Sequence, residues 1–135
     1  MALLVLIPLV YVVVAVAVVQ RSRVSMTDAA RDVGRAIGSS ASPQEADRKA
    51  AAALRIALAN HAVSTDDVEL RYVPASADCS STAIAPDLTP GAEFAVCVTT
   101  HQDLPGVPSI LSGRGVTLVG RFVVHVDEFR LGTRQ

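Results

Sequence analysis

From Ala2 to Val19 the chain reads ALLVLIPLVYVVVAVAVV, with no charged side chain. An apolar run of about 18 residues predicts a membrane-spanning helix, because at 1.5 Å per residue it covers roughly 27 Å, close to the hydrocarbon thickness of a bilayer. Pro8 is compatible with this, since a proline near the start of a membrane helix removes a donor that is partly orphaned anyway. Two other readings compete. Ala15-Val16-Ala17 has the small-x-small form of a signal cleavage site, but no Lys or Arg precedes the run and its apolar core is long for a signal peptide. A buried soluble helix would have to be covered on every side by a domain too small to do so.

Polarity begins abruptly at Gln20-Arg21-Ser22-Arg23, and the period becomes helical. Met26, Ala30, Val33 and Ile37 form one stripe, with Ala29 and Ala36 beside it; Asp28, Arg31, Asp32 and Arg35 lie opposite, at i,i+3 spacing. No breaker separates this part from the apolar run. One long helix from about 2 to 37 is expected, amphipathic over about 21–37, with Gly38 as its C-terminal cap. Ser42-Pro43-Gln44-Glu45 then starts a second helix, about 43–62: an N-cap serine, a proline at the first helical position and a glutamate three residues after the cap. Its inward stripe is Ala46, Ala50, Ala53, Leu54, Ala57, Leu58 and His61. The histidine near its C-terminus reads as a dipole or surface feature.

The period then drops to two. Val68, Leu70 and Tyr72 alternate with Glu69 and Arg71, giving a strand over about 68–73. Residues 75–92 read as a loop. Phe94, Val96 and Val98 give a second strand, about 93–100, with Cys97 on its other face. The longest strand, about 116–128, carries Val116, Leu118, Gly120, Phe122, Val124 and Val126 on one face and Thr117, Arg121, His125 and Asp127 on the other. Gly120 in its middle signals a bulge or a close backbone approach. Connections too short for helical crossovers make the sheet an antiparallel meander, covered on its apolar face by the two helices. The fold class is therefore α+β: a long N-terminal transmembrane and amphipathic helix, a second helix, then a three-stranded antiparallel meander. Residues 1–20 form the anchor and 21–135 one small domain.

The net charge of −1 offers phosphates no basic field, so nucleic acid is not an expected partner. With three Phe, two Tyr and no Trp, the core must come from Val, Leu, Ile and Ala. No G-x-S-x-G elbow, H-E-x-x-H or phosphate-binding G-x-x-x-x-G-K is present. His61, His101 and His125 lack metal-ligand spacing. Asp66-Asp67 and Asp127-Glu128 sit where solvated turn charges are common, and His125 is placed to pair with Glu128, three residues on. Lys49, the sole lysine, lies at a helix start where exposure is expected. No catalytic residue, cofactor or metal is expected. In HQDLPGVPSILS, residues 101–112, the apolar Leu104, Val107, Ile110 and Leu111 either tuck under a loop, rest at the membrane surface, or offer a contact to a partner subunit. Cys79 and Cys97, separated by 18 residues, can pair in an oxidising compartment, worth about 3 kcal/mol in the chain-entropy model; in a reducing one they are two thiols.

In order along the chain, Ile7-Pro8-Leu9, Val19-Gln20, Asp28-Ala29-Ala30-Arg31, Gly34-Arg35-Ala36, Pro90-Gly91 before a Val-rich strand, and a last strand ending Val126-Asp127-Glu128-Phe129-Arg130 resemble the TadE/TadF-type proteins of tight-adherence pilus systems in their actinobacterial form. Those are small, bitopic, pilin-like proteins. They carry a charged stretch with a glutamate ahead of the apolar run, where a prepilin peptidase acts. No such stretch lies among these residues, and processing is not carried over. The resemblance implies a non-enzymatic, membrane-anchored component of a pilus assembly or secretion system. Its partners would be membrane lipid and other subunits of that system, met through helix packing along Met26, Ala30, Val33 and Ile37. Arg21 and Arg23 alone would place the domain in the cytoplasm by the positive-inside rule; the resemblance and the two cysteines place it outside, which is the expectation adopted. The alternative is a membrane-anchored extracytoplasmic binding module for a small ligand or an envelope polymer, using the far sheet face.

Overall fold

A computed structural model of the chain describes residues 2–60, 67–103 and 115–128. Helix α1 spans Ala2–Gly38, 37 residues without a break, and α2 spans Pro43–Asn60. Strands β1 (Val68–Pro74), β2 (Glu93–Gln102) and β3 (Val116–His125) form one antiparallel sheet in the order β1-β2-β3. The α+β layout expected from the periodicities is the one observed.

The end of α1 differs from the expected glycine cap. Gly38 keeps a helical backbone, and two serines satisfy the last carbonyls. Ser39 N–H donates to Arg35 O (3.1 Å) and Ser40 N–H to Ile37 O (2.9 Å). The Ser39 and Ser40 hydroxyls both donate to Ala36 O, at 3.0 and 2.7 Å. The start of α2 follows the sequence signal closely. Glu45 N–H donates to Ser42 Oγ (3.3 Å), Glu45 Oε2 accepts from Ala41 N–H (2.9 Å), and Ala46 N–H donates to Ser42 O (2.9 Å). The glutamate reaches one residue beyond the cap, to Ala41. Glu45 also pairs with Lys49 at 2.9 Å.

Strand register sorts the side chains onto two faces. Leu70↔Val98↔Gly120, Tyr72↔Val96↔Phe122 and Pro74↔Phe94↔Val124 face the helices. The core joins these positions with Met26, Ala30, Val33 and Ile37 of α1 and Ala46, Ala50 and Leu58 of α2. The two helices do not share the sheet equally. Helix α1 packs directly on β3 and β2, whereas the close backbone neighbour of α2 is α1. Tyr72, in edge-to-face contact with Phe94 at 6.0 Å, is partly buried against this core.

Gly120 explains why α1 comes so close. A Cβ there would lie 2.0 Å from Met26 O, so the α1 backbone rests on the strand. Of the two possibilities raised by a glycine in a strand, the structure shows close approach; the β2–β3 register runs unbroken from Glu93↔His125 to Gln102↔Val116. Gly34 is the reciprocal notch on the helix, where a Cβ would meet Phe122 Cδ1 at 2.6 Å and Val124 Cγ2 at 2.9 Å. Strand β3 ends at His125, three residues short of expectation. Pairing nevertheless continues one step, as Val126 N–H donates to Ala92 O and Gly91 N–H to Val126 O, both at 3.0 Å, across a turn in which Gly91 has φ +80°. Val126 is buried, while Asp127 and Glu128 lie exposed beyond the strand.

Candidate functional site

The feature with the clearest functional content is the N-terminal half of α1. It is the one helix among the described residues long and apolar enough to cross a membrane. Its apolar window has a mean hydropathy of 2.8, and none of that window is buried. Leu4 is 75% exposed, Ile7 66% and Val13 61%, so these side chains have no partner within the head. Ala15, Val18 and Val19 are half-buried, and Val19 already packs against the core. A valine-rich helix standing free in water would be poorly stabilised, since β-branched residues lose side-chain freedom and most helix stability comes from a packed face. In lipid the same side chains match their solvent and the helix satisfies its own backbone.

Below Gly38, α1 is therefore one rod with two environments. Met26, Ala30, Val33 and Ile37 are each 0% exposed and lie in the head's own core. Arg31 and Arg35 stay exposed, with the Arg31 guanidinium 5.9 Å from the Phe122 ring centroid. The i,i+3 spacings Asp28–Arg31 and Asp32–Arg35 do not close into ion pairs; among the described residues the pairs are Glu45–Lys49, Glu69–Arg71 and Glu93–His125. His125 thus pairs across the strands with its register partner Glu93, not along the chain with Glu128. Opposite residues in a sheet stand about 5 Å apart, whereas β3 has already ended before Glu128.

The far face of the sheet carries a second, smaller cluster of Val73, Ala95 and Cys97, closed by Ala77, Cys79 and Val123. Cys79 and Cys97 are joined by a disulfide, with Cα atoms 5.7 Å apart. Two further ties hold the same loop. Arg121 Nη2 donates to Ala75 O, and Ile84 N–H donates to Tyr72 O at 2.8 Å, covering the free edge of β1. Neither tie was evident from spacing: the arginine reads simply as an exposed strand residue, and Ile84 as part of a polar loop.

Titration is perturbed at three described sites outside the apolar run. The Lys49 ammonium, then the Ala41 N–H, hold the Glu45 carboxyl below its usual range. The Thr89 N–H does the same for Asp87. Burial pushes the Tyr72 phenol up, with a smaller push from Asp47 on α2. Each belongs to a cap, a turn or the core. The recesses among the described residues are shallow, as two of them show. One of about 280 Å³ lies beside Asp67, Glu69, Thr99 and His101, and one of about 530 Å³ lies between Gly34, Gly38, Phe122 and His125. The described residues include no group of three or more His, Cys, Asp or Glu placed to hold a metal ion. Leu104, Val107, Ile110 and Leu111, the candidate partner contact, lie outside the described residues, as do His61, Asp66 and the Phe129-Arg130 end of the family-like motif.

Comparison of the chain with family models, with curated proteins and with solved structures gave no match.

Proposed function

We propose that this chain is a non-enzymatic, single-pass membrane protein whose α+β head works outside the cytoplasm as a pilin-like component of a tight-adherence-type pilus assembly or secretion apparatus. The observation that supports this best is the continuity of α1: one unbroken helix that is apolar and outside the head's core up to Ala17, and packed into the head from Val19 onward. Such a helix transmits the position of the anchor to the head without a hinge. The order of motifs along the chain supports the pilus reading, and the Cys79–Cys97 bridge supports the extracytoplasmic side, where disulfides persist.

Two measurements test it. Affinity purification of the full chain from solubilised membranes is expected to bring down a secretion ATPase and polytopic membrane proteins of a pilus system. Recovery of a small ligand or envelope polymer without them would favour the binding-module alternative. Labelling intact cells with a membrane-impermeant maleimide is expected to modify the cysteines only after an impermeant reductant is added. Labelling that needs cell lysis would place the head in the cytoplasm.

A further inference from the structure

We infer that the base of the head is a lipid-contacting surface: Arg21 and Arg23 of α1, together with Thr117 of β3 and His101 of β2, lie in the headgroup layer, with the two guanidinium groups on lipid phosphates. The inference rests on the membrane-anchor reading above and adds where the head sits.

Its first support is that no spacer exists. Helix α1 is unbroken through the transition, and Val19 already packs on the core. The interfacial layer on each side of a bilayer is roughly 5–7 Å deep, which at 1.5 Å per residue is four or five helical residues. If the hydrocarbon ends near Val19, that layer takes in Gln20 to Val24.

The second support is direction. The contacts Met26–Gly120, Gly34–Phe122 and Gly38–Val124 advance together along α1 and β3, so helix and strand run the same way. Descending from Met26, the strand loses about 3.3 Å per residue against 1.5 Å for the helix. Thr117 therefore falls about 10 Å below Gly120, at the height of α1 residues 19–20. Register places His101 beside Thr117, and Thr100 and Val68 beside Leu118, so the ends of all three strands share this level.

Chemistry is the third support. Arg21, Arg23, Thr117 and His101 are all exposed there. A guanidinium pairs bidentately with phosphate, and the two arginines continue directly from the apolar run, so the lipid that surrounds the run supplies the phosphates. Arg35 on the same helix stands 14 residues higher than Arg21, about 21 Å further from the bilayer.

The chain has no Trp, so single tryptophans report cleanly. Full-length Thr117→Trp and Arg35→Trp are reconstituted in phosphatidylcholine vesicles with and without a lipid spin-labelled on its headgroup, and flotation is checked first. Expected is strong quenching of the probe at 117, several-fold above that of the probe at 35. Adding Arg21→Gln and Arg23→Gln is expected to weaken the quenching at 117. Chain that floats but shows equal quenching at both sites, or none at 117, overturns the inference and leaves the anchor reading intact. Quenching at 117 that ignores the loss of both arginines overturns their assignment to phosphates. Chain that fails to float overturns the anchor reading, and this inference with it.

Discussion

Gly120 of β3 and Met26 of α1 meet backbone to backbone. A Cβ at position 120 would come within 2.0 Å of Met26 O and 2.7 Å of Thr27 N. The membrane-length helix is thus seated on the sheet through main chain, the part of the protein least able to give way.

This seating predicts a graded glycine series. Gly120→Ala is expected to cost about 3 kcal/mol or more, since no side-chain rotation relieves a clash with backbone. Gly34→Ala meets side-chain atoms of Phe122 and Val124 at 2.6 and 2.9 Å. Those can shift, and alanine is favoured over glycine in a helix by about 1 kcal/mol, so the net cost is expected to be about 1 kcal/mol. At Gly38 the nearest atom, Val124 Cγ1, is 3.5 Å away, and alanine should be close to neutral. Urea denaturation of the three variants in micelles reads the order; equal costs at 34 and 120 would contradict it.

Thr100 faces the core at 1% exposure, and its hydroxyl has no hydrogen-bond partner among the described residues. Thr100→Val keeps the shape and removes the unsatisfied group, which costs about 1–3 kcal/mol when buried. The variant is expected to be more stable by about 1 kcal/mol in the same assay. A loss of stability would mean that the hydroxyl is bonded.

The disulfide ties the 75–92 loop over the far sheet face. Cys79→Ala with Cys97→Ala is expected to lower stability by about 3 kcal/mol, the chain-entropy value for a loop of this size. The double variant should lose nothing further on addition of reductant, whereas the native chain should fall to its level. A double variant as stable as the native chain without reductant would contradict a stabilising bridge.

Stability should fall on both sides of neutral pH for separate reasons. A carboxyl whose folded pKa is depressed stabilises above its unfolded value, and that stabilisation is lost as pH drops through the lower folded value. Glu45 and Asp87 are such groups. A group whose folded pKa is raised stabilises below its unfolded value, and loses this as pH climbs through the higher folded one. Tyr72, raised above its ordinary 10.0, is such a group. Glu45→Gln should flatten the acid limb of a Tm-against-pH curve below pH 4.5, and Tyr72→Phe the alkaline limb above pH 10. Unchanged limbs would remove these residues from the account.

Local signals in the sequence were sufficient for the elements and their inward faces. The Met26, Ala30, Val33, Ile37 stripe follows from the helical period, the Ser42–Glu45 cap from its residues, and the odd placement of Cys97 from alternation. Gly120 signals either a bulge or a close backbone approach, and only the unbroken β2–β3 register and the Met26 backbone decide for the second. Long-range geometry stayed hidden. Gly34 looks ordinary until Phe122 is known to lie against it. His125 has an acid three residues away in sequence and another across the sheet, and only register decides for Glu93. Gly38 carries the composition of a cap, but Ser39 and Ser40 perform it. Arg121 and Ile84 hold the loop through backbone groups, which no side-chain pattern reveals. The head surface is least legible, because its described residues carry shallow recesses and scattered charges, not a constellation of fixed spacing.

Whether the apolar half of α1 lies in lipid is decided by carbonate-washed membrane fractionation of the native chain beside Val13→Arg and Val24→Arg. Val13 sits in the middle of the apolar run, where an arginine costs about 3 kcal/mol on insertion scales, while Val24 is exposed on the head side of it. The native chain and Val24→Arg are expected in the membrane pellet and Val13→Arg largely in the supernatant. Native chain found freely dissolved, or Val13→Arg retained as well as the native chain, would contradict the account.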